Sequence, residues 1–174
     1  MTADSAVPRP ASSPLSDLFS AVVHTPFGGM GIRSQAGVIL EMVYLPRHYA
    51  EKEATDAVAA RAVKQIQRYL ADPGHRLRLP LADVGSAFQK RVWQAIVAIP
   101  SGQVLTYGDV ARRIGSAPRA VGQACGANWH PLVVPCHRVT AAGGLGGFSH
   151  HDEADGFFLE VKRWLLRHEG VTGY

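Results

Sequence analysis

The chain has 174 residues, of which 47% are hydrophobic and 18% charged, with a formal net charge of +4. That balance suits one or two globular domains with a real core, and the mild positive charge permits a polyanionic partner without demanding one. No apolar run approaches the roughly 20 residues of a membrane span, and the first residues lack the basic and apolar regions of a secretory signal. The two cysteines, Cys125 and Cys136, therefore read as reduced thiols of a cytoplasmic protein.

Residues 1–15 are rich in Pro, Ser and Ala and read as a disordered tail. Between residues 18 and 45, the runs LFSAVVHT and GVILEMVYL flank a turn at Phe27-Gly28-Gly29. Such β-rich runs around a Gly-rich turn predict an antiparallel hairpin or meander. Residues 54–70 repeat apolar side chains at Val58, Ala62, Ile66 and Leu70, the spacing of an amphipathic helix. Asp72-Pro73-Gly74 stops it. The segment HRLRLPLADVGS then reads as an extended linker. The domains expected are 16–82, small and α/β, and 83–174, mostly helical.

The second half opens with a helix carrying Phe88, Val92, Ile96 and Ile99 on one face, ended by Pro100-Ser101-Gly102. Two short helices follow in LTYGDVARRIGSAPRAVGQACGAN. Thr106 and Asp109 have capping-box spacing, Gly115 suits the left-handed residue that closes the first helix, and Ser116 can cap the second. This is a helix-turn-helix outline. It lies in a basic stretch: between Asp83 and His151 stand Lys90, Arg91, Arg112, Arg113, Arg119 and Arg138 against Asp83 and Asp109 alone. The second helix is small-sided, with Ala117, Ala120, Gly122, Ala124 and Gly126, and Arg119 is its one long basic residue. Two readings stand open: tight helix packing, or close sequence-independent approach to a nucleic-acid groove.

Next comes PLVVPCHRV. Leu132-Val133-Val134 reads as a short buried strand that Pro135 ends, leaving Cys136 at its exit. A free cysteine is ordinarily a small buried hydrophobe. Here His137 is adjacent, Arg138 adds positive charge and the Gly-rich AAGGLGGFS follows, which are surroundings that activate a thiol. Neighbouring side chains on a strand diverge, so His137 is expected to reach Cys136 through a water. Glu169, at the end of a later helix, is the acid available to orient His137. Cys125, Cys136, His130 and His137 lack the paired spacing of a metal site.

The stretches FQKRVWQAI, IPSGQVLTYGDVA, RAVGQACGAN, PLVVPCHRV and KRWLLRHEG together resemble the O6-alkylguanine–DNA alkyltransferases, also called methylated-DNA–protein-cysteine methyltransferases. The resemblance covers residues 84–174. It implies an α/β (α+β) fold with an RNase H-like first half and a winged-helix-like second half. It also implies irreversible, single-turnover transfer of an alkyl group from O6-alkylguanine, and from O4-alkylthymine, to Cys136. In that reading His137 activates Cys136 through water, Glu169 orients His137 and Asn128 braces the turn. Tyr107 turns the nucleotide's phosphate and supports the leaving base, and Arg119 fills the gap left by the flipped nucleotide. Thr106, Ala120, Gly122 and Gln123 join the DNA-binding surface. Pro131, Val139, Phe148, Ser149 and Lys162 belong to the guanine pocket. The implied partner is duplex DNA held through its minor groove by a monomer, with no cofactor and no metal; the zinc site of some relatives needs N-terminal cysteines that the first half lacks.

Three departures stand out. Asn128-Trp129-His130 replaces the usual Asn-Pro, Phe148 stands where a tyrosine is common, and HHDEADGFFLE is longer than usual, with acids that disfavour nearby phosphates. Two other functions fit parts of the pattern. A non-catalytic alkyl-lesion-binding module would lack the acceptor cysteine, and a Cys-His-Glu hydrolase would turn over repeatedly without needing Arg119.

Overall fold

The computed structural model describes residues 15–151 and 155–174. The expected tail lies outside that range except for Leu15, which begins a 3-10 turn, Leu15–Leu18. Two acids of the longer loop, Asp152 and Glu153, also lie outside it. The chain divides into two compact units between Val84 and Gly85.

In the first unit, β1 (Ala21–Thr25), β2 (Gly28–Gln35) and β3 (Val38–Leu45) form an antiparallel meander in sequence order. The first turn is Pro26-Phe27, one residue earlier than expected, because Gly28 already pairs with Thr25. The second is Ala36-Gly37, with φ of 51° and 78°, a two-residue hairpin turn whose twist matches that of the strands. β2 hides from propensity behind three glycines. Gly31 has a packing reason: a Cβ there would stand 2.6 Å from the ring of Phe19. Phe19 thus lies flat on the sheet with Val22 and Leu45.

Helix α1 (Ala57–Ala71) begins where the Asp56 carboxylate accepts from Ala59 N–H, and it packs against all three strands. Its buried stripe includes Val58, Ala62, Ile66 and Tyr69. Leu70 is the expected fourth member, but it is only half-buried. A helix advances 3.6 residues per turn, so after Ile66 the stripe steps by three. The expected linker is extended but not free. Gln65 exchanges two hydrogen bonds with the Arg78 backbone, and Ile39 brackets Leu81 with bonds to Pro80 and Ala82.

In the second unit, α2 (Ala87–Val97) starts with a Ser86/Gln89 capping box, and Trp93 Nε1 donates to Ala124 O at 2.9 Å. Then follow β4 (Leu105–Thr106), α3 (Tyr107–Ile114), α4 (Pro118–Gly126), a 3-10 turn (Cys136–Arg138), β5 (Val139–Thr140) and α5 (Phe157–His168). β4 and β5 pair in parallel, Leu105 with Val139 and Thr106 with Thr140. The helix-turn-helix is α3 and α4, with the Thr106/Asp109 capping box formed and Gly115 left-handed at φ 67°. Ser116 does not cap α4. The residue before that helix is Ala117, with no side-chain cap, and Pro118 starts the first turn with its preset φ and no N–H to satisfy. Leu132-Val133-Val134 is not a strand either. Leu132 is left-handed at φ 70°, and Val134 N–H returns to His130 O, which makes a turn. Among the described residues no helix is long and apolar enough to cross a membrane.

Arg33 and Glu41 face each other across β2 and β3 with Nη1 to Oε2 at 2.6 Å, both buried. Removing one partner of a buried ion pair costs about 3–5 kcal/mol, because the other charge stays out of water. Glu41→Ala is therefore expected to lower the urea midpoint of the first unit by an amount corresponding to about 3 kcal/mol. An unchanged midpoint would show that the guanidinium is solvated in the folded state.

Candidate active site

Cys136 is the first residue of the 3-10 turn and is only 5% exposed. The turn is pinned by Asn128, whose amide uses both ends. Nδ2 donates to Val134 O at 2.8 Å and to Cys136 Sγ at 3.2 Å, while Oδ1 accepts from His130 N–H at 2.9 Å. Sγ therefore sits at a place set by the reversal between α4 and the 3-10 turn, and Asn128 is the residue that closes that reversal.

His137 points the other way, into the unit. Its Nε2 lies 2.8 Å from Glu169 Oε1, and both side chains are almost fully buried. Glu169 closes α5, so the end of that helix fixes the carboxylate. Arg138 grips the same carboxylate side-on, Nε to Oε2 and Nη2 to Oε1, both at 2.9 Å, and its Nη1 donates to Ile99 O at 2.7 Å. The carboxyl is held well below its ordinary 4.5 by hydrogen bonds from His137 and Arg138, which outweigh the opposing effect of burial. An ionised Glu169 can only accept, so Nε2 carries the proton. Burial keeps His137 below its ordinary 6.5 despite Glu169 beside it, so the ring is neutral near pH 7 and Nδ1 bears a lone pair. Nδ1 is buried with no partner among the described residues. It makes no bond to Cys136 itself. The divergence expected of a strand arises here within a helical turn.

Cys136 opens onto a cavity of about 320 Å³. Of the residues anticipated from sequence, Tyr107, Gly122, Gln123, Phe148 and Ser149 line it with Cys136. Arg119 is exposed on the first turn of α4, and Ala120 is half-buried. Thr106 caps α3. Pro131, Val139 and Lys162 are buried and do not line the cavity. Lys162 instead donates from Nζ to the carbonyls of Val139, Leu145 and Gly147 at 2.8–2.9 Å, so it fastens the loop on which Phe148 and Ser149 stand. Burial brings its ammonium down to about 8. Tyr107 Oη donates to Gly147 O at 3.1 Å, and burial raises its hydroxyl well above the ordinary 10, so it stays neutral.

Sequence reading missed five residues that line the cavity: Cys125, Gly126, Gly147, His150 and His151. Cys125, read from the sequence only as a reduced thiol, lines it beside Cys136. The neighbouring Cys125 thiol and burial hold Cys136 well above the ordinary thiol range, as the protonated form. His150 and His151 also line it. His150 lies across Gly126, where a Cβ would stand 2.2 Å from its ring; the glycine is legible in the sequence, but not what leans on it. Among the described residues no group of three side chains suits a metal ion.

The buried pair makes this unit acid-sensitive. His137 binds its proton less readily when folded than at its unfolded 6.5, and Glu169 less readily than at its unfolded 4.5. As pH falls below each value the unfolded chain takes up a proton that the folded chain refuses, so stability is full above both and lost in two stages. Urea titrations from neutral to acidic pH should show both stages. Glu169→Gln should diminish the lower one while reducing stability at pH 7. A pH-independent midpoint would overturn the assignment of an ionised Glu169 beside a neutral His137.

Comparison with known proteins fits these features. The family described as 6-O-methylguanine DNA methyltransferase, DNA binding domain, matches residues 87–171. The methylated-DNA–protein-cysteine methyltransferase of Archaeoglobus fulgidus is 37% identical over 124 residues, covering 71% of this chain and 81% of its own. The crystal structure of Mycobacterium tuberculosis O6-methylguanine methyltransferase aligns at TM-score 0.69 with 34% identity, over 85% of this chain and 90% of the other. The same organism's OGT in complex with DNA aligns at TM-score 0.69 with 33% identity, over 86% and 91%. The expected fold class and family are both borne out: the chain belongs to the methylated-DNA–protein-cysteine methyltransferases.

Proposed function

We propose that the chain repairs DNA by taking the alkyl group of O6-alkylguanine onto Sγ of Cys136, once per chain. The observation that carries this is the thiol itself: Cys136 stands at a cavity beside the helix-turn-helix, with Asn128 on its sulfur and a neutral base paired to Glu169 next along the chain.

The resting thiol is protonated, so its proton must leave as the S–C bond forms. His137 Nδ1 is the acceptor, reached through a water, and the imidazolium that results is balanced by Glu169. The guanine O6–C bond breaks on the opposite side of the transferred carbon. The leaving guanine needs a donor, and Tyr107 supplies a neutral hydroxyl at the cavity wall once its proton turns from Gly147 O to the base. A thioether does not revert, so each chain is consumed.

The O6 atom lies within the duplex, so the nucleotide must be turned out of the stack at a cost of a few kcal/mol. The small faces of Ala120 and Gly122 let α4 approach the minor groove closely, and exposed Arg119 is the side chain that holds the vacated space. Gln123 and Gly122 lie both on α4 and at the cavity, so one helix serves groove and pocket. Lys162 acts by positioning, through the loop that carries Phe148 and Ser149. Two free thiols suit a reducing, cytoplasmic setting.

Duplex DNA containing O6-methylguanine should add one methyl to Cys136, stoichiometrically, as read by mass spectrometry of the intact chain and of the tryptic peptide 120–138. Repeated turnover would instead favour the hydrolase, and binding with Cys136 unmodified would favour the lesion-binding module. Arg119→Ala should slow repair of duplex DNA by about tenfold or more, the scale of one to two kcal/mol of lost extrusion support, while leaving reaction with free O6-benzylguanine nearly unchanged. Equal losses on both substrates would remove Arg119 from the proposed role.

A further inference from the structure

Cys125 has no part in the transfer, yet it is the second thiol of the same cavity. It lies in the last turn of α4, and Cys136 begins the 3-10 turn eleven positions later. The reversal between them returns the chain so that both cysteines line the same cavity. Asn128 holds both ends of this reversal: its N–H donates to Cys125 O at 3.2 Å and its Nδ2 to Cys136 Sγ at 3.2 Å. Both cysteines are free, with exposures of 9% and 5%. The cavity they share is bordered by the exposed His150 and His151, so a molecule the size of a peroxide can enter. A protein thiol cannot reach sulfurs buried to this degree.

Two thiols on one cavity have a different oxidative fate from one. A lone cysteine sulfenic acid proceeds to sulfinic and sulfonic acids, which thiols do not reduce, whereas a neighbouring thiol diverts it to a disulfide. We propose that Cys125 is a resolving thiol for Cys136, closing a reversible Cys125–Cys136 disulfide when a hydroperoxide oxidises the cavity. Cys136 loses its proton to His137, and its sulfur attacks the peroxide oxygen. The O–O bond breaks, a sulfenic acid forms and one water leaves. Cys125 sulfur then attacks the sulfenic sulfur, the S–O bond breaks and a second water leaves. Two thiols have given up two electrons, and hydrogen peroxide has become two waters. A small dithiol reverses the process by exchange. While the bond exists Cys136 cannot accept an alkyl group, and reduction restores it. That consequence for repair rests on the alkyl-transfer reading; the disulfide does not.

Both cysteines fall in one tryptic peptide, 120–138. The purified chain, freed of reductant, is treated with hydrogen peroxide, quenched in acid and digested without reduction. The wild-type peptide should appear two hydrogens lighter, and dithiothreitol should restore both its mass and most of the methyl uptake from O6-methylguanine DNA. Cys125→Ser should instead carry added oxygens on Cys136, give a dimedone adduct at early times, and recover several-fold less methyl uptake; Cys125→Ala serves as the second variant if the serine destabilises α4. The proposal is overturned if the wild-type peptide gains oxygens without losing two hydrogens, or if dithiothreitol rescues wild type and variants equally. If the disulfide forms and reverses but no form accepts methyl, the disulfide stands and the alkyl-transfer reading falls.

Discussion

Glu169 accepts hydrogen bonds from both His137 and Arg138, and that carboxylate ties the 3-10 turn to the end of α5. It is supplied by the end of α5, while Arg138 reaches on to the Ile99 carbonyl just beyond α2. Three segments far apart in sequence therefore share one buried anion. Burying a carboxylate costs several kcal/mol unless its lone pairs are filled. Here a bidentate guanidinium and an imidazole N–H fill them. The consequence is chemical as well as structural. With Nε2 committed to Glu169, the His137 proton cannot wander between ring nitrogens, and Nδ1 is left as the basic atom.

Cys136 is placed by a separate device. Asn128 satisfies a carbonyl, a backbone N–H and the Cys136 sulfur with one side chain, so the sulfur is held without a bond to the His137 ring. Lys162 does for the following loop what Asn128 does for the preceding one, donating its three protons to the carbonyls of Val139, Leu145 and Gly147. The cavity is walled by Tyr107, α4, Cys136 and residues 147–151, and the segments before Cys136 and before Phe148 are each tied down by one polar side chain. In the Gly-rich loop held by Lys162, a small number of directional bonds replaces the apolar packing that small residues cannot provide.

Some of this is legible in the order of residues alone. Periodicity locates α1 and α2, and caps locate α3, because a Thr–Asp box and a left-handed glycine are local signals with local causes. β2 is not legible in that way, since its glycines carry no strand signature and answer to a ring, Phe19, from outside the strand. The expected strand at 132–134 fails for a related reason. An apolar run reports burial, not backbone conformation, and Leu132 is buried in a left-handed turn. Lys162 leaves a faint trace, a lysine among the buried residues Leu159, Val161 and Leu165 of α5, but its carbonyl partners lie in a loop whose course no local pattern specifies.

What kinds of groups this protein has, and roughly where its elements lie, follow from the amino-acid sequence. A thiol beside an imidazole after a proline, a capped helix-turn-helix, a lone long arginine on a small-sided helix and an acid closing the last helix are all readable in order, because each depends on neighbours within a turn or two. Which of those groups meet is settled by the folded chain. Folding brings Glu169 to His137 across 32 positions, gives that carboxylate to Arg138 as well, turns Lys162 inward and brings Cys125 and Cys136 to one cavity. The physical reason is that protonation states and partnerships of buried polar groups are set by solvent exclusion and by atoms a few ångströms away. Those atoms come from segments whose separation in sequence says nothing about their distance in space.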